Sequence, residues 1–331
     1  MKRILVTGGA GMVGSNVVRH LLALEEMERV TVFDNFSSGR WEHLQPFINH
    51  PLLNVIEGDL ADPHWFHQVP VPEEGMFDTV VHLVANPDIS KAVTDPGIDF
   101  RQGTVLCQHV LELMRICEIG NLLYLSGSGV YGEAPTGLLP FSEDHGPCIP
   151  ISTYAASKLA CEAMIAAHCH MFGLRARVLR PANIVGPNQT HGVSCDFINQ
   201  LLRHPSFLRI LGDGQQSKSY IYVDDVIYAL FRIEKIQFPS YRVWNIASCD
   251  AITVYQIARI ACEEVGLNPE EVRFEYSGGT RGWQGDVPIV RLDCQRLASL
   301  GWCAHRGSSA AVREGMRDLY GKITNQTRPR S

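Results

Sequence analysis

Thr7-Gly8-Gly9-Ala10-Gly11-Met12-Val13-Gly14 places glycine at every third position, at Gly8, Gly11 and Gly14. It follows Arg3 to Val6, a short apolar run without alternation, the pattern of a strand buried on both faces of a parallel sheet. It opens into Ser15 to Leu24, where Val17, Val18, Leu21 and Leu22 have helical spacing. Between a strand and a helix, such glycines let the backbone turn sharply and approach a pyrophosphate. The helix start adds free N–H groups and a positive dipole end.

Outward from this turn, strands and helices alternate. Val30 to Phe33 predicts a second strand ending at Asp34, and Val55-Ile56 leads a third toward Gly58-Asp59. Thr79 to Leu83, Leu122 to Leu125 and Ala176 to Leu179 read as the next three, with helices over Val105 to Cys117 and Tyr154 to His170. Alternation of this kind implies right-handed crossovers and an α/β, doubly wound parallel sheet of the dinucleotide-binding (Rossmann) type. Beyond residue 180 it weakens, and Pro, Gly and Asn cluster at 181–192. The expected organisation is a dinucleotide-binding domain over 1–180, rejoined by about 220–248. A smaller, non-contiguous α/β substrate region covers 181–219 and 249–325, and a frayed tail 326–331.

Composition narrows the function. Of 331 residues, 45% are hydrophobic and 19% charged, which excludes a disordered chain or a coiled coil. The formal net charge of −6 speaks against nucleic-acid binding, which needs a basic footprint. No apolar run reaches 18 residues and the N-terminus lacks the apolar core of a signal peptide, so neither a membrane span nor secretion is expected. The ten cysteines, from Cys107 to Cys303, form no Cys-x-x-Cys pair. They read as reduced thiols of a cytoplasmic protein without a metal site.

Asp34 closes the second strand 20 residues after Gly14. A carboxylate there accepts from both ribose hydroxyls and repels a 2′-phosphate, so NAD is expected over NADP. The nearest basic residue after it is Arg40. Asp59 has two readings, a partner of the adenine amino group or an N-cap for a helix starting at Ala61. His82 reads as a core residue. Tyr154-Ala-Ala-Ser-Lys158 places a phenol and an ammonium on one helix face. A free phenol is a poor base at neutral pH, and a neighbouring cation favours its ionised form.

With these residues in this order, the chain resembles the extended short-chain dehydrogenase/reductase family. Within it, the chain is similar to the NAD-dependent nucleotide-sugar epimerases and dehydratases, and most of all to the UDP-glucose 4-epimerases. The resemblance covers nearly the whole chain. It rests on residues 7–14 and 34–40, Asp59-Leu60, residues 82–87 and 130–132, Tyr154 to Lys158, residues 180–187, 212–214 and 220–225, and Gly282 to Asp286. It implies a sugar oxidised transiently at C4, with Tyr154 as base and Lys158 assisting. It implies NAD contacts from Gly8, Gly11, Met12, Val13, Asp34, Asn35, Phe36, Ser37, Ser38, Gly39, Asp59, Leu60, Leu83, Val84, Ala85, Ser126, Tyr154, Lys158 and Ala182. Substrate contacts are implied for Asn86 and Asn183, with Lys218 and Arg281 on the diphosphate of a UDP-linked sugar. It also implies a homodimer built on the helices near 105–117 and 154–170.

The chain departs from the family pattern at four places. Lys218 stands where the family has arginine, a point charge in place of a bidentate fork. Arg281 is displaced from its usual place. Gly127 replaces a Ser or Thr that hydrogen-bonds the 4-hydroxyl, so Ser128 is named as a third catalytic residue. In an unbroken strand Ser126 and Ser128 face away from side 127, and either replaces the hydroxyl only if the strand breaks there. Gly103 replaces an Asn, and the two glycines together are expected to make room for a bulkier sugar. Ser128 and Gly129 stand where the dehydratases carry Asp-Glu, which argues against dehydration. The alternatives are a nucleotide-sugar 4-dehydrogenase or reductase, another lyase or epimerase of the family, and a dinucleotide-sensing regulator.

Overall fold

The computed structural model describes residues 1–62, 64–69, 77–134 and 138–327. In the first half, strands β1 (Arg3–Thr7), β2 (Arg29–Asp34), β3 (Leu53–Glu57), β4 (Thr79–His82), β5 (Asn121–Leu125) and β6 (Arg175–Pro181) alternate with helices α1 (Met12–Leu22), α2 (Trp41–Leu44), α3 (Leu106–Ile116) and α4 (Thr153–Phe172). The second half adds β7 (Asn183–Val185), α5 (Val193–Arg203), β8 (Phe207–Ile210), β9 (Ser217–Lys218), β10 (Tyr220–Tyr222), α6 (Val223–Glu234), β11 (Tyr241–Ile246), β12 (Ile252–Thr253), α7 (Val254–Glu264), β13 (Arg273–Tyr276), β14 (Ile289–Val290), α8 (Gln295–Ala298) and α9 (Ser308–Thr327).

Among the described residues, seven strands form one sheet in the order β11-β6-β5-β4-β1-β2-β3. Strands β1 to β6 pair in parallel, with Val6 opposite Val32 on one side and Val81 on the other. Ile4, Leu5 and Val6 are fully buried, as a central strand covered on both faces requires. This is the doubly wound α/β sheet read from the sequence. The order reverses beside β1, so the ends of β1 and β4 open the crevice where such sheets hold ligands.

The chain divides into two compact units. The first comprises Met1–Val130, Thr153–Arg180 and Leu230–Trp244. Its core gathers Phe33, Trp65, Val110, Met114, Tyr124, Cys161 and Ile165 between sheet and helices. The second comprises Tyr131–Ser152, Pro181–Ala229 and Asn245–Ser331. It holds three small sheets: β10-β7, β12-β9-β14 and β13-β8. The sequence suggested that the chain returns to the large sheet from Tyr220 onward. Within that stretch β11 does join the large sheet and Leu230–Trp244 belongs to the first unit, whereas β10 pairs with β7 instead. Helix α9 runs on to Thr327, where fraying was expected, and the rest of the tail, 328–331, lies outside the described residues.

One local feature departs from regular helix. Before α3, Phe100–Val105 forms a π-helical turn, with Asp99 at its head. Such turns are rare and concentrate at functional sites.

Candidate active site

The glycine turn has the shape its sequence implies. Gly8 adopts φ +76°, and a Cβ on Gly14 would overlap the Gly8 carbonyl. Gly11 caps α1 without a side-chain hydrogen bond, and the first turn, which contains Met12 and Val13, holds no acidic residue. Its N–H groups and dipole therefore suit an anion.

Asp34 is buried, and each carboxylate oxygen takes one backbone N–H, from Ala10 at 2.8 Å and Phe36 at 2.9 Å. Burial raises its pKa above the usual carboxylate range, against the pull of those two hydrogen bonds. Asn35 accepts from the Ser37 backbone at 3.0 Å, Phe36 stacks on Trp41, and a Cβ on Gly39 would press on Ala10 at 2.8 Å. The segment through Ser38 thus folds tightly over the glycine turn. These residues fit a dinucleotide: a side-chain-free turn at a helix start, and a carboxylate with lone pairs to spare.

Asp59 accepts from Ala61 N at 2.9 Å, beside the buried Leu60. No helix starts at Ala61, so this is a turn rather than the cap considered from the sequence. Leu83 donates to the Thr7 carbonyl at 3.1 Å, and Val84 N lies 3.1 Å from the place of a Gly8 Cβ, which brings the segment through Ala85 against the glycine turn.

Tyr154 and Lys158 occupy the first turns of α4. The Lys158 ammonium donates to the Leu125 carbonyl at 2.8 Å and lies 5.7 Å from the Tyr154 ring centre and 5.1 Å from that of Tyr124. The lysine is 5% exposed, so its charge is fixed at the end of β5. His82 is a core residue, as read: Nδ1 meets Thr7 Oγ1 at 2.7 Å and the ring stacks on Tyr124. Burial and the Lys158 charge lower its pKa to about 3.

The two serines beside Gly127 part ways. Strand β5 ends at Leu125, and Ser128–Tyr131 is a short 3-10 turn, so the backbone does break. Ser126 donates to Glu162 Oε1 at 2.5 Å, and Glu162 also pairs with Arg180 at 2.6 Å. All three are buried. The Ser126 hydroxyl is therefore spent inside the first unit and does not stand in for the one missing at 127. Ser128 is half-buried.

The two glycine departures also differ. A Cβ on Gly127 meets nothing within 4 Å, whereas a Cβ on Gly103 would overlap Ser157 Oγ. The expectation that both glycines make room is corrected: the space at 103 is filled. Ser157 Oγ donates to the Asp99 carbonyl at 2.8 Å and lies 3.0 Å from Thr104 Oγ1. Asn86, expected at the substrate, is buried and uses its amide on Asp99 Oδ1 at 2.9 Å, Asp88 O at 3.0 Å and Asp88 N at 3.1 Å. Asp99, Thr153, Ser157 and Glu162 were not singled out from the sequence. The available signal was that Thr153 and Ser157 are polar residues directly before the two members of the pair.

In the second unit, Ala182 N donates to Ile246 O at 2.8 Å, and Asn183 hydrogen-bonds the Tyr220 hydroxyl. Lys218 pairs with the Asp286 carboxylate. Arg281 pairs with Glu133 at 2.5 Å and donates to the Asp286 carbonyl at 2.9 Å. The two cations expected at a diphosphate thus converge on one loop residue. Among the described residues, no group of three or more His, Cys, Asp or Glu is arranged to hold a metal ion, and no helix is long and apolar enough to cross a membrane.

A profile of the NAD dependent epimerase/dehydratase family matches residues 4–247. The chain is 33% identical to the UDP-glucose 4-epimerase of Mycolicibacterium smegmatis, over 91% of this chain and 93% of that one. Its fold is similar to a crystal structure of UDP-galactose 4-epimerase, with a TM-score of 0.84 and 34% identity over 97% and 99% of the two chains. It is also similar to the Thermus thermophilus UDP-glucose 4-epimerase in complex with NAD, with a TM-score of 0.83 and 27% identity over 96% and 99%.

Proposed function

The chain belongs to the NAD-dependent epimerase/dehydratase family, and from that premise we propose that it interconverts nucleotide sugars at C4, acting on a UDP-hexose such as UDP-glucose or UDP-galactose. The observation that carries the proposal is the Tyr154–Lys158 pair, with its ammonium fixed by the Leu125 carbonyl.

Tyr154 takes the proton of the sugar 4-hydroxyl and returns it after the keto sugar has turned over. Lys158 keeps a positive charge beside the phenol while the proton moves. Gly8, Gly11 and the start of α1 hold the pyrophosphate of NAD, and Asp34 the ribose hydroxyls. When bound, NAD supplies reversible two-electron oxidation of the sugar carbinol carbon. Ser128 is the hydroxyl that assists at C4 in place of a side chain at 127. Lys218 and Arg281 hold the diphosphate, exchanging their carboxylate partners for phosphate oxygens, and Asn183 contacts the substrate beside them.

A homodimer is part of the proposal. Helix α4 carries apolar residues on more than one face: Ala155, Cys161, Ile165 and Cys169 are buried, while Ala156, Ala163, Ala167, Met171 and Phe172 are exposed. A helix of that composition is normally covered on both sides, and Ile116 of α3 is also exposed. Ala163→Arg is expected to give a monomer by sedimentation, and an unchanged sedimentation coefficient would refute the interface. A cytoplasmic location, checked by cell fractionation, suits ten cysteines that are all free.

The deciding experiment incubates the protein, without added NAD, with UDP-glucose or UDP-galactose, and follows both sugars by chromatography and NADH by absorbance. Interconversion without net NADH is expected. Accumulating NADH with a released keto sugar would replace this reading with a 4-dehydrogenase.

A further inference from the structure

We propose that Asp99 is the positioning residue for the Tyr154–Lys158 pair, holding the first turns of α4 through the residue that precedes each member. The inference rests on the reading of that pair as the catalytic machinery.

Asp99 is 1% exposed and heads the π-helical turn. Its Oδ2 accepts from Thr153 Oγ1 at 2.7 Å, directly before Tyr154. Its backbone carbonyl accepts from Ser157 Oγ at 2.8 Å, directly before Lys158. Its Oδ1 accepts from Asn86 Nδ2 at 2.9 Å, which ties the same carboxylate to the segment leaving β4. Both carboxylate oxygens are thus satisfied within the buried site.

Two anchors do what one does not. Thr153 and Ser157 are four residues apart, so they lie on one face of α4, one turn of about 5.4 Å apart. Tyr154 and Lys158 lie on the adjoining face with the same spacing. A single anchor would leave the turn free to pivot about it. Two anchors on one fixed residue block both tilt and rotation. The Ser157 contact exists because position 103 has no Cβ: a side chain there would overlap Ser157 Oγ. The first turn of a helix needs such support, since its leading N–H groups lack intrahelical partners and its end frays. Misplacing a reacting group by about 1 Å can cost ~100-fold in rate.

The test uses NAD-loaded Thr153→Val and Thr153→Ser proteins. Thr153 is exposed, so neither change empties the core. For Thr153→Val, amide exchange at residues 157–160, whose N–H groups bond back onto the first turn of α4, is expected to rise about tenfold. Its kcat on a UDP-hexose is expected to fall about tenfold with KM within about twofold, and Thr153→Ser to restore both. Asp99→Asn should act in the same direction, because it turns an amide donor toward Asn86 or Thr153. Unchanged exchange or unchanged kcat in Thr153→Val, or a serine variant as impaired as the valine one, would overturn the proposal. Exchange needs no substrate, so it reads the anchoring even where no UDP-hexose is turned over. Full turnover by Tyr154→Phe would instead remove the pair's catalytic reading and leave the exchange result standing.

Discussion

Ser157 Oγ occupies the space that a side chain at Gly103 would need. The serine is not free to step aside, because its hydroxyl is held by the Asp99 carbonyl at 2.8 Å and lies 3.0 Å from Thr104 Oγ1. The glycine that looked like a vacancy in the sequence is a packing requirement.

Gly103→Ala is therefore expected to destabilise the protein by about 1–3 kcal/mol, through overpacking and loss of the Ser157 hydrogen bonds. Chemical denaturation checks this. Gly103→Ala in a Ser157→Ala background should cost less than the sum of the two single changes, and strict additivity would contradict the account.

Gly127 is the opposite case, with open space around it. Gly127→Ser is expected to fold with the wild-type melting temperature. Ser128→Ala should lower kcat by about 10- to 100-fold, the worth of one hydrogen bond to a reacting group. Adding Gly127→Ser to Ser128→Ala should recover most of that loss. A Ser128→Ala enzyme with wild-type kcat would show that Tyr154 works alone.

His82 gives the stability a pH dependence. The unfolded chain takes up a proton on His82 near pH ~6.5, whereas the folded state holds the ring neutral down to about 3. Between those values the unfolded state binds more protons, so stability is lost as pH falls. His82→Phe keeps an aromatic ring against Tyr124 and removes the titration. Urea denaturation between pH ~6 and ~4 should give it a shallower slope than wild type, by about 1 kcal/mol per pH unit. Parallel slopes would rule this out.

Lys218 offers a test of substrate binding. Lys218→Met should raise KM for the nucleotide sugar about 10- to 100-fold with kcat nearly unchanged, because a diphosphate contact serves ground and transition states alike. Lys218→Arg should hold KM at or below the wild-type value by supplying a bidentate fork. A KM insensitive to Lys218→Met would leave the lysine as a structural partner of Asp286 alone.

Much of this protein was determined by short stretches of its own sequence. The glycine turn between β1 and α1, Asp34 at the end of β2, and the four-residue spacing of Tyr154 and Lys158 follow from turn chemistry and periodicity within windows of a few residues. They carried the parallel sheet and the dinucleotide cradle. Tertiary structure alone decided which polar groups remain for chemistry. Ser126 is drawn to Glu162, 36 positions away; Ser157 closes on Gly103; and Asp99 gathers Asn86, Thr153 and Ser157 from as far as 58 positions away. A buried polar group must find its partner wherever packing supplies one. Those partners are chosen by the packing of α4 against the end of β5 and the turn before α3, which no local spacing encodes.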